Sequence, residues 1–357
     1  VDYGGDRYNS AEFNTNPSFK DFIMRNFWLA LFTWVMAWPS MAATPGALHV
    51  PITKGTHIYF KGDDNRREQT VQVNLPKSIE DYGRVTLQFK LSCPDGKCDR
   101  WDRVGSMSFQ NNELNQPLEL LRFITPYGIG ANWTYDLSDF LPLLKGSASF
   151  VFFIDTWVGP GHPGGHGWMV EAELVYEKAE QNQPVAAYVQ PILSFDDVIY
   201  GDPLVSTERK SRVLPLLGYR SAQMRMVITG HGQGNGDNCA EFCARSHRVR
   251  IGDHQYERTI WRDNCATTVD PNQMGTWQYP RAGWCPGDKV EPWKADVSAA
   301  LLNGVTDFIY QPEEFENSCR PGVLECTGCI FNTSCEYDGG LHTEPRYFVS
   351  AYLIYYK

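Results

Sequence analysis

Four short segments bring acidic residues together with cysteine, tryptophan or arginine: CPDGKCDRWDR (93–103), FIDTW (153–157), NCAEFCARSH (238–247) and the stretch from DNCATT at 263 to GWCPG at 287. In the first, Pro94-Asp95-Gly96 predicts a tight turn that brings Cys93 and Cys98 within reach of a local disulfide. Such a staple would stiffen the strand carrying Asp102, and a catalytic carboxylate needs rigid support. A charged turn in which Asp102 only pairs with Arg103 or Arg100 satisfies the same residues. In the second, Asp155 and Trp157 lie two apart on an expected strand and project from one face, opposite Phe152 and Ile154. A carboxylate beside an indole suits a sugar, whose apolar face stacks on the ring while its hydroxyls donate to the acid. Ordinary packing at a sheet edge is the alternative. In the third, Cys239 and Cys243 flank Glu241 at a spacing that fits one helical turn or a tight loop, and closing a disulfide would present Glu241 outward. In the fourth, a bridge between Cys265 and Cys285 would fix Arg281 and Trp284 at one rim, where an arginine can hydrogen-bond a developing oxyanion.

The elements that must hold these residues are strands. Val71, Val73 and Leu75 alternate with polar neighbours, as do Val85, Leu87, Phe89 and Leu91. Further strands are expected at 150–157, 172–176, 223–229, 248–251, 307–310 and 347–355, and short helical turns at 136–144 and 296–301. The fold class is therefore all-β, and many short antiparallel strands in a chain of 357 residues suggest two sandwiches rather than one core. The polar run 177–184 ends in proline and is the expected linker between domains at 45–178 and 185–357.

From Met24 onward, Arg25 precedes an apolar stretch from Phe27 to Trp38 and then the small residues Ser40, Ala42 and Ala43, the pattern of a secretory signal peptide. Residues 1–42 are accordingly excluded from the expected fold, an amphipathic first helix being the alternative. Secretion or a periplasmic location implies an oxidising compartment. The ten cysteines fit it: Cys93, Cys98, Cys239, Cys243, Cys265, Cys285, Cys319, Cys326, Cys329 and Cys335. A net charge of −10 without clustered Lys and Arg argues against nucleic acid or an anionic membrane as partner.

Taken together, CDRWDR, RFITPY (122–127), DTW (155–157), CAEFC (239–243) and RAGWCPG (281–287) resemble the peptide:N-glycosidase F family in order and spacing, over roughly residues 50–355. The resemblance implies two jelly rolls side by side with a site in the cleft between them. It implies disulfides Cys93–Cys98, Cys239–Cys243 and Cys265–Cys285, and catalysis by Asp102 and Glu241 with Arg281. Arg103, Asp155, Trp157, His231 and Trp284 would bind the substrate, an N-glycosylated protein or glycopeptide. No metal or other cofactor is implied, and the family suggests a monomer. Three positions depart from the family pattern: Asp155 replaces a glutamate, His231 stands where a tryptophan is expected, and Phe242 replaces another tryptophan. The segment from Cys319 to Cys335 is an added cysteine-rich loop, read as two further disulfides, with zinc at Cys326-x-x-Cys329 as the alternative.

Two rival functions share these residues. A copper monooxygenase with paired jelly rolls would need clustered histidine and a methionine ligand; only His162 and His166 share a short loop, GPGHPGGHG, which reads as a solvated turn. A non-catalytic glycan-binding relative would use the 11 Trp and 18 Tyr equally well.

Overall fold

The computed structural model describes residues 46–180, 183–233, 239–317 and 343–357. The signal-peptide expectation and the cysteines from Cys319 to Cys335 lie outside the described residues.

The first part of the chain contributes β1 (Leu48–Lys61), β2 (Asp64–Arg66), β3 (Glu68–Asn74), β4 (Tyr82–Ser92), β5 (Val104–Gln110), β6 (Leu118–Ile124), β7 (Ala131–Asp136), β8 (Ser147–Ile154) and β9 (Trp168–Lys178). They form two facing sheets, β2-β1-β9-β4-β7 and β3-β8-β5-β6, with antiparallel pairings throughout. The alternation read in β4 is what closes them. Val85, Leu87, Phe89 and Leu91 are buried and meet Phe109, Phe150 and Phe152 from the opposite sheet in one core.

The second part contributes β10 (Ala186–Ile199), β11 (Arg209–Val213), β12 (Ser221–Gln233), β13 (Arg245–Ile251), β14 (His254–Ile260), β15 (Trp293–Asp296), β16 (Thr306–Pro312) and β17 (Thr343–Tyr356). Their sheets are β10-β17-β12-β15 and β11-β16-β13-β14, again antiparallel. The two expected helical turns are short 3-10 helices at Ser138–Leu143 and Ser298–Leu301.

The two sandwiches share a wall. β17 is buried at every residue from Tyr347 to Tyr355 other than Phe348, because its two faces serve two cores: Val349, Ala351, Leu353 and Tyr355 point into the second, Tyr352 and Ile354 into the first. That is why YFVSAYLIYY reads as a continuous apolar run rather than an alternation.

The edge strand β6 is buried along its whole length. A long excursion between β14 and β15 covers its open edge: Ile124 N–H donates to Asp288 O at 3.0 Å, Gly287 N–H to Ile124 O at 3.0 Å and Val290 N–H to Arg122 O at 2.9 Å. Beside these bonds lies a fully buried ion pair. Arg122 grips the Glu119 carboxylate with Nε and Nη2 at 2.8 and 2.7 Å, while its Nη1 donates to Thr229 Oγ1 and Phe348 O across the seam. Ser350 Oγ donates to the same carboxylate, and the Tyr352 hydroxyl to Glu119 O at 2.7 Å.

Candidate active site

Asp102 does not sit on a strand, as the sequence led one to expect. It lies in the loop between β4 and β5, two residues before β5 begins. The loop takes its order from side chains and one backbone bond: Arg103 N–H donates to Thr125 Oγ1 at 2.8 Å, Trp101 N–H to Asp99 Oδ1 at 3.0 Å, and Thr125 N–H to Arg103 O at 2.9 Å. Arg103, a candidate partner for Asp102, places its Nε on Asp99 Oδ2 at 2.8 Å. Asp102 hydrogen-bonds the Tyr127 hydroxyl, which also lies 3.4 Å from Thr276 Oγ1.

From the other sandwich, β12 delivers Glu241 and Arg281 through one glycine. A Cβ on Gly230 would come within 2.6 Å of Ala240 O and 2.8 Å of the Ala282 Cβ, so only glycine lets the 239–243 loop and the 281–284 segment press against the same strand. Gly230 N–H donates to Ala282 O, and Gly230 O accepts from the Trp284 indole at 2.8 Å. Glu241 is held by its backbone, with N–H to Gly232 O at 3.0 Å and O from Ala282 N–H at 2.9 Å. Its carboxylate faces Arg281 Nε at 3.2 Å and turns into the seam, only a fifth exposed, where the sequence had suggested an outward-facing residue.

Arg281 and Trp284 form a buried wall, not a rim: each is 3% exposed or less. The guanidinium lies between the rings of Phe242 and Trp284, 4.8 and 5.2 Å from their centroids. Nη1 donates to Tyr279 O and Nη2 to Thr276 O and Oγ1. The Nε contact with Glu241 is close enough for an ion pair but poorly aligned as a hydrogen bond.

Asp102, Glu241 and Arg281 thus line one pocket of about 350 Å³, together with Trp101, Tyr127, His231, Phe242, Thr276 and Trp284. Burial raises the pKa of Glu241 to about 7, the Asp102 charge adding to this and Arg281 opposing it. Burial also raises that of Asp102, against the pull of Tyr127, Arg281 and Arg103. The two carboxyls titrate as a coupled pair that retains a proton well above the ordinary carboxylate range.

Both halves of this fold match described family regions. Residues 108–174 match "Peptide-N-glycosidase F, N terminal", and residues 215–325 match "Peptide-N-glycosidase F, C terminal". The chain belongs to the peptide-N-glycosidase F family. Among its relatives is peptide-N(4)-(N-acetyl-beta-D-glucosaminyl)asparagine amidase F of Elizabethkingia miricola, 29% identical over 278 residues, 73% of this chain and 76% of the relative. Among solved structures, PNGase F, a glycosylasparaginase from Flavobacterium meningosepticum, superposes with a TM-score of 0.71 at 22% identity, covering 87% of this chain and 96% of that one. PNGF-II gives 0.62 at 15%, covering 87% and 65%. The fold is the two-domain β-sandwich of these structures.

The disulfides implied by the peptide-N-glycosidase F resemblance are all present: Cys93–Cys98, Cys239–Cys243 and Cys265–Cys285. Asp155 and Trp157 lie just beyond the end of β8 rather than on it, and an indole hydrogen bond still joins them. Arg67, which sequence reasoning missed, completes that group. Its Nη1 donates to Asp155 Oδ1 at 3.0 Å and its guanidinium stacks 4.3 Å from the Trp157 centroid. Trp157 is half exposed, as is Trp101; Trp101 lines the pocket, whereas Arg103, Asp155 and Trp157 are not among its lining residues.

At the departure from the family tryptophan, His231 lines the pocket with its ring stacked on Trp284 and its Nε2 2.8 Å from Thr229 Oγ1. Burial, then the charges of Arg122 and Arg346, lower its pKa to about 3, so the imidazole is neutral. Tyr127 and Thr276 were also missed as pocket residues. The only signal for Tyr127 was its place in RFITPY, and Thr276 offered none.

The glycine-rich loop is the expected solvated turn at Gly161, His162 and Pro163, but its second half is packed. His166 N–H donates to Lys97 O at 2.7 Å and Arg100 N–H to Gly164 O at 3.2 Å, so the loop lies against the segment leading to Asp102. The two histidines do not converge: His162 Nδ1 accepts from Gly164 N–H, and His166 Nδ1 faces Asp95.

Proposed function

We propose that this protein hydrolyses the amide between the proximal N-acetylglucosamine of an N-glycan and its asparagine, leaving aspartate in the peptide and releasing a 1-amino-glycan that then loses ammonia. The observation that carries the reading is the meeting of Asp102, Glu241 and Arg281 in one pocket at the seam. Membership of the family and the amidase name of the relative support it.

Amide hydrolysis needs an activated water, a stabilised carbonyl oxygen and a protonated leaving nitrogen. The carboxyl pair suits this because it holds a proton near neutral pH, resting on Glu241; once that proton has passed to Asp102, Glu241 can take and Asp102 can give. Glu241 takes the proton of a water that adds to the asparagine side-chain carbon. Asp102 gives its proton to the departing glycosylamine nitrogen as the C–N bond breaks. Arg281 fixes Glu241 and supplies positive charge at the developing oxyanion. Of its five N–H groups, that on Nε and one on Nη1 have no hydrogen-bond acceptor among the described residues. Arg103, Asp155 and Trp157 hold the two proximal sugars, with Trp157 offering a half-exposed ring for stacking. His231 and Trp284 form the wall beside them. We further place the working protein, as a monomer, in a secreted or periplasmic setting, a reading that the three disulfides support.

Incubation with a denatured glycoprotein in heavy-oxygen water tests the reaction. Mass spectrometry should find asparagine converted to aspartate carrying the heavy oxygen, and Asp102→Asn should abolish the product while its circular dichroism matches wild type. A fully active Asp102→Asn variant would overturn the assignment.

A further inference from the structure

Asp99 lies three residues before Asp102, only 2% exposed and outside the pocket. Its carboxylate is the meeting point of the segments that carry the candidate site. Oδ1 accepts from Trp101 N–H at 3.0 Å, which folds the loop back just before Asp102. Oδ2 accepts from Arg103 Nε at 2.8 Å, on the other side of Asp102, and from Thr156 Oγ1 at 2.7 Å, between Asp155 and Trp157. Its backbone carbonyl accepts from Gly128 N–H at 2.9 Å, beside Tyr127. One buried residue therefore ties together the reacting carboxyl, the sugar-facing pair and the hydroxyl that touches Asp102.

The packing behind it is equally specific. A Cβ on Gly165 would stand 2.2 Å from Cys98 O and 2.8 Å from the Asp99 Cα, at a φ of +135° that side-chain-bearing residues avoid. The glycine-rich loop can therefore lie flat against Asp99 on one side while the Cys93–Cys98 bridge anchors the chain on the other. Asp99 has no room to shift without moving all four partners.

We propose that Asp99 is a positioning residue for the reaction above: it fixes the separation between Asp102 and the Asp155–Trp157 pair, and so sets how the scissile amide lies when the proximal sugars are bound. This rests on the amidase reading. Its arms make different predictions. The Trp101 bond holds the reacting end, the Arg103 bond holds both the backbone beside Asp102 and a sugar-facing side chain, and the Thr156 bond holds only the sugar-facing end.

The test is steady-state kinetics on a glycopeptide with wild type, Asp99→Asn and Thr156→Val. In Asp99→Asn an NH2 can stand where Oδ2 accepted from Arg103 Nε, and two donors then face each other. Its kcat should fall about 10- to 100-fold with KM raised, the scale at which a small misplacement of reacting groups is felt. Thr156→Val cuts one arm and should raise KM about fivefold with kcat within about twofold of wild type, a split that mere loss of stability does not produce. Wild-type kinetic constants in a folded Asp99→Asn, or a Thr156→Val whose loss falls on kcat alone or on neither constant, would overturn the inference. If Asp99→Asn does not fold, Thr156→Val decides the matter. An inactive wild type would overturn the amidase reading and this inference with it, whereas an active wild type with indifferent variants overturns this inference alone.

Discussion

Two polar clusters sit on the seam between the sandwiches, built from the same residue types, and they end in opposite states. In the Glu119–Arg122 cluster each carboxylate oxygen has an arginine donor, Ser350 adds a third bond, and the guanidinium spends its remaining reach on Thr229 and Phe348 O. In the pocket, one arginine pairs with Glu241 alone and reaches Asp102 only through its charge. That arginine meets Glu241 without good hydrogen-bond alignment, and the pKa of Glu241 rises to about 7. A buried charge pair that is fully satisfied holds two halves together. One that is left short of partners keeps a proton to trade.

The comparison can be broken most directly at Glu241. Glu241→Gln removes the carboxylate proposed to activate water and should lower kcat by about a thousandfold, a loss on the scale of general base catalysis. Glycan release followed by chromatography measures it, and a loss under tenfold would move Glu241 out of the reaction. At the satisfied cluster the effect should fall on stability: Arg122→Leu strands Glu119 and should cost about 3 to 5 kcal/mol by urea denaturation, whereas replacing both Glu119 and Arg122 by leucine should cost much less.

A smaller effect separates the clusters by pH. The folded-state pKa of Glu241 lies above its ordinary value near 4.5, so the folded protein binds the extra proton, and the stability tied to it is present below 4.5 and lost as pH rises through about 7. Glu241→Gln cannot ionise, and its melting temperature should gain a few degrees on wild type between pH 5 and pH 8. Parallel melting curves would contradict this. Smallest of all, Trp157→Ala removes one exposed face of the sugar subsite and should raise KM for glycopeptide several-fold with kcat nearly unchanged.

The sequence made most of the architecture readable, because alternation in β4 and the doubly buried run of β17 both write burial directly into residue order. It hid strands such as β1, where bulges between Pro51 and Thr53 and between Lys54 and Thr56 break the period. Within the site, Asp102, Glu241 and Arg281 stood out because each sits beside a cysteine or tryptophan in a recognisable segment. Arg67, Tyr127 and Asp99 did not. Arg67 reaches Asp155 from 88 residues away, and Asp99 is a carboxylate whose importance lies in what it accepts from distant segments. Local spacing predicts which groups a turn or staple can present. It is silent on which groups the seam brings together.

The backbone bonds between β6 and residues 287–290 also bear on how a glycoprotein must behave when it arrives. Stitched along an edge in this way, the sandwiches are tied by backbone bonds where they meet, and the width of the groove is set by the fold. The adapting has to be done by the visitor: the polypeptide around the glycosylated asparagine must bend outward far enough to lay its side-chain amide between Asp102 and Glu241. Asparagines on taut, well-packed surfaces should yield their glycans slowly, and those on slack or unfolded chain quickly.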